Sequence, residues 1–285
     1  MSHPVSVAVD GSESAREAVV WAAAEAHRRE TWLRVVTVYP WPITGFPEAA
    51  ATGPQLLAGL REQAHATLAE ARDAANVTAP DLLVRTAALE GDVVAELRAA
   101  SEGATLLVLG SRGLGGFSGM LLGSTAVALS AHGACPVVVV RGESKGSRVV
   151  VGVDGGPTDD AALAFAFEHA ATANHTVVAT HAWSDTLLDA AHTAGYAALD
   201  WGQLSTQAGE LLADRVAPWR AKFPAVPVEL VVARSRPARL LLEQAADAEL
   251  VVVGSRGRGG FAGLLLGSTS QALIRHSPCP VSIVR

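Results

Sequence analysis

The sequence predicts an α/β protein built from two tandem doubly wound parallel sheets, each five-stranded, with helices on both faces. Three observations carry this. The segment 108–129, VLGSRGLGGFSGMLLGSTAVAL, aligns without gaps to 252–273, VVGSRGRGGFAGLLLGSTSQAL, at 16 of 22 positions. The same offset of 144 carries Val9-Asp10-Gly11 onto Val153-Asp154-Gly155 and Cys135-Pro136-Val137 onto Cys279-Pro280-Val281, so a whole domain is duplicated rather than a loop. Short β-branched runs alternate with Ala-rich stretches of helical period, the pattern of parallel strands joined by crossover helices. Finally, Leu106-Leu107-Val108-Leu109 and Leu250-Val251-Val252-Val253 are apolar at every position, as strands must be when helices cover both faces of their sheet.

The chain has 285 residues, two domains' worth at roughly 150 each. We place the domains at 1–143 and 148–285, joined by the short polar run from Gly142 to Ser147. In the first, the β-branched stretch 5–10 reads as a strand, followed by an Ala-rich helix 14–29 and a Val-rich strand 33–39. An Ala-rich helix covers about 55–76, then come strand 82–89, helix 92–101 and the apolar strand 105–110. Ser124-Thr125 supplies N-cap chemistry for helix 124–132, and the valine run 136–140 closes the set; the second domain repeats the series. Right-handed crossovers and a reversal of strand direction place a crevice at the carboxyl ends of the first and fourth strands.

Composition narrows the function. Hydrophobic residues make up 49% and charged ones 18%, which excludes a disordered chain. With 22 basic and 28 acidic residues the net charge is −6, so no positive field collects nucleic acid. Residues 1–143 hold 10 of the basic and 15 of the acidic residues and carry nearly all the excess. Only Cys135 and Cys279 are present, which fits a reducing compartment. No signal-peptide pattern opens the sequence and no apolar stretch approaches the roughly 20 residues of a membrane span, so a cytoplasmic protein without membrane contact is expected.

The distinctive residues fall at the predicted crevice. Twelve of the 27 glycines crowd into 110–123 and 254–267, each window lying between an apolar strand and a helix start. Glycine permits positive φ and close backbone approach, while a helix N-terminus offers N–H groups and a positive dipole end, so together they suit a polyphosphate. A merely tight loop is the competing reading, disfavoured by the residue-for-residue repetition. A phosphate-loop NTPase is excluded because the only lysines are Lys145 and Lys222, and a dinucleotide fingerprint is excluded because Asp10-Gly11-Ser12 follows the first strand. Asp10 and Asp154 are expected to end the first strand of each repeat, where a carboxylate accepts hydrogen bonds from a ribose or adenine, or caps the next helix.

Gly110-x2-Gly113-x9-Gly123-Ser124, repeated as Gly254-x2-Gly257-x9-Gly267-Ser268, resembles the ATP-binding signature of universal stress proteins, as do the Val-Asp-Gly start and Cys-Pro-Val end. The likeness covers nearly the whole chain twice and resembles the tandem form of actinobacteria. It implies strand order 3-2-1-4-5 and one ATP per repeat, with Mg²⁺ held mainly by phosphate oxygens, in a nucleotide-responsive regulator of stress adaptation or growth. Asp10 and Asp154 would meet the adenosine end, with Gly11, Ser12 and Gly155 in the same turns. Backbone at Val38 and Ala182, after the second strand, would meet adenine. Gly110, Arg112, Gly113, Gly123, Ser124 and Thr125 would hold ribose and phosphates, matched by Gly254, Arg256, Gly257, Gly267, Ser268 and Thr269. The repeats depart from each other at Ser12, which is Gly156 in the second, and at Leu114, which is Arg258, so unequal sites are expected.

No nucleophile–base pair or metal-ligand spacing accompanies the motif, which argues against a fast enzyme. A slow ATPase, an autophosphorylating protein and a nucleotide-free scaffold remain open. His132 and His276 read as helix ends, Trp41 as a loop anchor, and Arg234, Arg236 and Arg239 as a solvated cluster. The apolar fifth strands invite edge pairing. Members of the resembled family dimerise there, which implies pairing of the two domains through these strands, a homodimer, and both cysteines remaining as buried thiols.

Overall fold

A computed structural model of the chain describes residues 3–40, 49–113, 122–183, 201–257 and 266–285. The chain forms two compact units, Met1–Arg141 and Gly142–Arg285. The first contains β1 (Val5–Ala8), α1 (Glu13–Arg28), β2 (Leu33–Tyr39), α2 (Ala49–Thr78), β3 (Val84–Glu90), α3 (Val93–Ser101), β4 (Leu106–Gly110), α4 (Ser124–His132) and β5 (Val137–Val140). All its strand pairs are parallel. β1 lies between β2 and β4, with β3 outside β2 and β5 outside β4, which is the order 3-2-1-4-5.

The second unit repeats the plan with β6 (Arg148–Gly152), α5 (Asp159–Ala173), β7 (Thr176–Ala182), α6 (Trp201–Lys222), β8 (Val228–Ala233), α7 (Pro237–Gln244), β9 (Leu250–Gly254), α8 (Ser268–His276) and β10 (Val281–Val284). β6 lies between β7 and β9, flanked by β8 and β10, again all parallel. The core runs along these strands: Val5, Val7, Leu33, Val35, Leu106 and Leu107 are fully buried, as are Val149, Val150, Leu250 and Val251. Each such aliphatic side chain contributes on the order of 1.5–3 kcal/mol by leaving water.

Three local expectations are corrected. β1 stops at Ala8, two residues before Asp10, because the chain turns there: Val9 N–H still reaches the Val36 carbonyl (2.8 Å), and Gly11 then takes φ +87°. β6 likewise stops at Gly152, two residues before Asp154. α2 begins at Ala49 rather than near 55 and contains Pro54; a proline close to a helix start forfeits only one early backbone bond. Ser124 and Ser268 are the first residues of α4 and α8 and do not cap them. The caps are Gly123 and Gly267, with no side-chain cap bond.

Neither cysteine forms a disulfide. Cys279 is buried, while Cys135 is only half-buried, yet burial still pushes its thiol up to about 12. Among the described residues, no helix is long and apolar enough to cross a membrane.

Candidate functional site

At the carboxyl ends of β1 and β4 the first unit ties three segments together. Ser12 N–H donates to Asp10 Oδ1 (3.0 Å), forming the turn, and Ser12 Oγ accepts from Ala15 N–H (3.2 Å), capping α1. The same Ser12 hydroxyl donates to the Arg112 carbonyl (3.3 Å), and Arg112 N–H donates to Ser14 Oγ (3.3 Å). Gly123 N–H closes the glycine loop onto the Ser111 carbonyl (2.9 Å). These bonds bring Asp10, Gly11, Ser12, Gly110, Arg112, Gly113 and Gly123 into one cradle. Ser124 and Thr125 open the helix beside it.

The glycines here serve close approach. Neither Gly110 nor Gly113 has positive φ. A Cβ on Gly113 would lie 2.6 Å from Asp10 Oδ2, and one on Gly110 would lie 2.7 Å from the Ser14 backbone. Both distances are below what real Cβ atoms tolerate, so the two positions exclude any side chain as placed. Gly123 at the N-cap gives the first-turn N–H groups of α4 no side-chain bond, and the positive end of the helix dipole lies beside Gly113.

The second unit builds the cradle with altered parts. Gly156 N–H donates to Asp154 Oδ1 (2.8 Å), and Gly155 holds φ +78°. A Cβ on Gly257 would collide with Asp154 Oδ2, and one on Gly254 with Thr158 Oγ1. Gly156 has no hydroxyl to match Ser12, and Thr158 Oγ1 takes over by donating to the Arg256 carbonyl (3.0 Å). Gly267 N–H closes onto the Ser255 carbonyl (2.8 Å), with Ser268 and Thr269 opening α8. A further carboxylate, Asp159, is buried beneath the turn and accepts from Asp154 N–H (3.1 Å) and Gly155 N–H (2.7 Å). Burial raises its pKa and the nearby Asp154 charge adds to this, while the two N–H bonds and Arg215 oppose it.

The model of the universal stress protein family matches residues 1–141 and again 146–285. The chain belongs to the universal stress protein family. Two universal stress proteins of Mycobacterium tuberculosis are similar to it at 38% identity (98% of this chain, 94% of theirs) and 34% identity (98% and 95%). A crystal structure of a universal stress protein from Archaeoglobus fulgidus is similar over 100% of this chain and 99% of that one, with TM-score 0.71 at 21% identity, which speaks to the fold.

Within this universal stress protein Val38 is the penultimate residue of β2 and Ala182 the last of β7, so both lie within their strands rather than beyond them. Val36 and Thr180 carbonyls accept from Val9 and Val153; by the alternation of a parallel strand, the backbone groups of Val38 and Ala182 point the same way, past the last residues of β1 and β6. Arg112 and Arg256 side chains are exposed, as are Arg234 and Arg236. Arg239 pairs with Glu243 (2.8 Å). Trp41, Leu114 and Arg258 lie outside the described residues. Sequence reasoning missed Ser14 with its counterpart Thr158, and Asp159. The first pair was open to view as a hydroxyl at matched positions of both repeats; the carboxylate stands opposite Ala15 and gave no repeated signal.

Proposed function

We propose that each unit binds one ATP and that the chain acts as a nucleotide-responsive regulator of stress adaptation or growth. The observation that carries this reading is the pair of helix starts, α4 and α8, whose N-cap residues Gly123 and Gly267 make no side-chain cap bond and lie against Arg112 and Gly113 in one unit and Ser255 and Arg256 in the other. Unpaired N–H groups at a helix N-terminus suit phosphate. Asp10 and Asp154 would hold the adenosine end. The backbone of Val38 and Ala182 would meet adenine, and Gly110, Gly113, Ser124, Thr125 and their repeats would line ribose and phosphates. ATP would supply a polyanion accompanied by Mg²⁺ on its own phosphate oxygens; among the described residues no group of three His, Cys, Asp or Glu side chains could hold a metal. The fit is to binding rather than rapid turnover. The cradle hydroxyls of Ser12, Ser14 and Thr158 bond to backbone or to the Ser111 hydroxyl rather than to a base.

The test is mass spectrometry of ligand released from protein purified without added nucleotide. An adenine nucleotide, approaching two per chain after loading with ATP and Mg²⁺, is expected. Protein that carries none and takes up none would remove the reading. Pairing of the two domains within the chain through the apolar fifth strands, and dimerisation of the whole chain, belong to the same proposal, and sedimentation equilibrium should return twice the chain mass.

A further inference from the structure

The sharpest chemical difference between the units lies beneath the first turn. In the second unit Asp159 accepts from the N–H groups of Asp154 and Gly155, while Arg215 of α6 donates to the Gly155 carbonyl (3.3 Å). An anion and a cation therefore bracket one glycine residue. At the repeat offset Asp159 corresponds to Ala15 and Arg215 to Ala71. The turn itself is alike in both, with Gly11 at φ +87° and Gly155 at +78°. In place of the pair, the first unit has a cavity of about 590 Å³ lined by Gly11, Ser12, Ala15, Val19, Ala71 and Ala74. At its edge exposed Arg16 pairs with Glu13 (3.9 Å), exposed Glu70 and Asp73 add two further carboxylates and leave the rim acidic, and Val77 adds apolar wall.

We propose that this cavity binds a small zwitterion carrying a carboxylate and a guanidinium or ammonium group, of the amino-acid class, with L-arginine as the type ligand. Its carboxylate takes the place of Asp159 against Gly11 N–H. Its cation takes the place of Arg215 against the Gly11 carbonyl, where Glu70 and Asp73 add attraction. The methylene stem lies along Val19 and Ala74, as arginine stems lie on apolar surface. A lone anion is disfavoured by the acidic rim, and a lone cation leaves Gly11 N–H unmatched. The volume falls within the roughly 300–1,000 Å³ of small-molecule sites.

Titration calorimetry of the full chain with L-arginine tests this, and because it needs no nucleotide the result is independent of whether the crevice binds ATP. One saturable site per chain is expected. Agmatine, which lacks the carboxylate, and acetate, which lacks the cation, should each bind at least about tenfold more weakly, the scale of one lost charge-assisted hydrogen bond. The double variant Ala15→Asp with Ala71→Arg installs the second unit's own pair and should abolish binding with unchanged circular dichroism. Ala71→Leu, which only fills space, should weaken it likewise and keeps the test decisive if the charged pair disturbs folding. No saturable binding to the parent, agmatine binding as tightly as arginine, or full binding to folded Ala71→Leu protein would overturn the proposal.

Discussion

The seam between the first and second helices of each unit is made in two different ways. In the first unit α1, α2 and the residue that follows α2 present Ala15, Ala23, Ala71, Ala75 and Ala79 at positions where the second unit has Asp159, Phe167, Arg215, Trp219 and Phe223. The aromatic rings pack on one another, with Phe167 5.8 Å from Phe223 and 6.3 Å from Trp219 between centroids, and Lys222 lies over both Trp219 and Phe223. Separation between packed helices follows the side chains at their contact, so one sheet plan accepts an alanine seam in one copy and an aromatic seam in the other. The two copies therefore share a cradle and differ in what supports it from behind.

The largest effect should come from breaking the aromatic seam. Phe167 is fully buried, so Phe167→Ala should destabilise the second unit by about 3–5 kcal/mol. Its mirror, Ala23→Phe, overpacks the alanine seam and should cost the first unit about 1–3 kcal/mol. The chain has six tryptophans, so denaturant unfolding followed by fluorescence in backgrounds that keep only Trp219 for the second unit, or only Trp21 for the first, separates the two.

Next comes the carboxylate of each cradle. Asp10→Asn and Asp154→Asn should each weaken nucleotide binding to their own unit by about 1–3 kcal/mol, the scale of a lost hydrogen bond to a charged group. If these aspartates only shape the turn, Asn serves equally well, and calorimetry would record unchanged affinity in both.

The hydroxyl that moved between the copies gives a smaller contrast. Ser12 both caps α1 and holds the Arg112 carbonyl, so Ser12→Ala should cost about 1 kcal/mol of first-unit stability or more. Thr158 forms no side-chain cap and holds only the Arg256 carbonyl. Thr158→Ala should therefore cost less, about 0.5–1 kcal/mol. Equal losses in thermal unfolding would contradict the different roles.

Asp159 separates the units by pH. Burial first, and then the charge of Asp154, raise its folded pKa against the two N–H bonds and Arg215. The folded unit thus binds the proton more tightly than the unfolded chain does. The associated stability is present below the ordinary aspartate value near 3.9 and is lost as pH rises through the folded value. Second-unit stability should show this downward component in mildly acidic solution. The first unit, with Ala15 there, should lack it, and Asp159→Asn should flatten the second unit's profile.

Much of this was legible from residues alone. The valine and leucine runs of β4 and β9, the alanine period of α1 and the repeat offset located nearly every element, because each signal is local. The glycine positions of the cradle were legible too, but their physical reason was not. Gly113 is required by the Asp10 carboxylate, a contact between residues far apart in sequence. The helix starts misled for a similar reason: Ser124 is a good cap residue by type, yet Gly123 occupies the cap. Asp159 and Arg215 were invisible because repetition was the signal being read, and they are where the repeats part.

The central claim, that two glycine cradles of one design each hold a nucleotide, is tested most directly by titrating ATP with Mg²⁺ into the parent, Gly113→Ala and Gly257→Ala proteins. A methyl group at either position meets the Asp10 or Asp154 carboxylate. Two sites per chain are expected in the parent and one in each variant, with circular dichroism unchanged. Two undiminished sites in both folded variants would contradict the account.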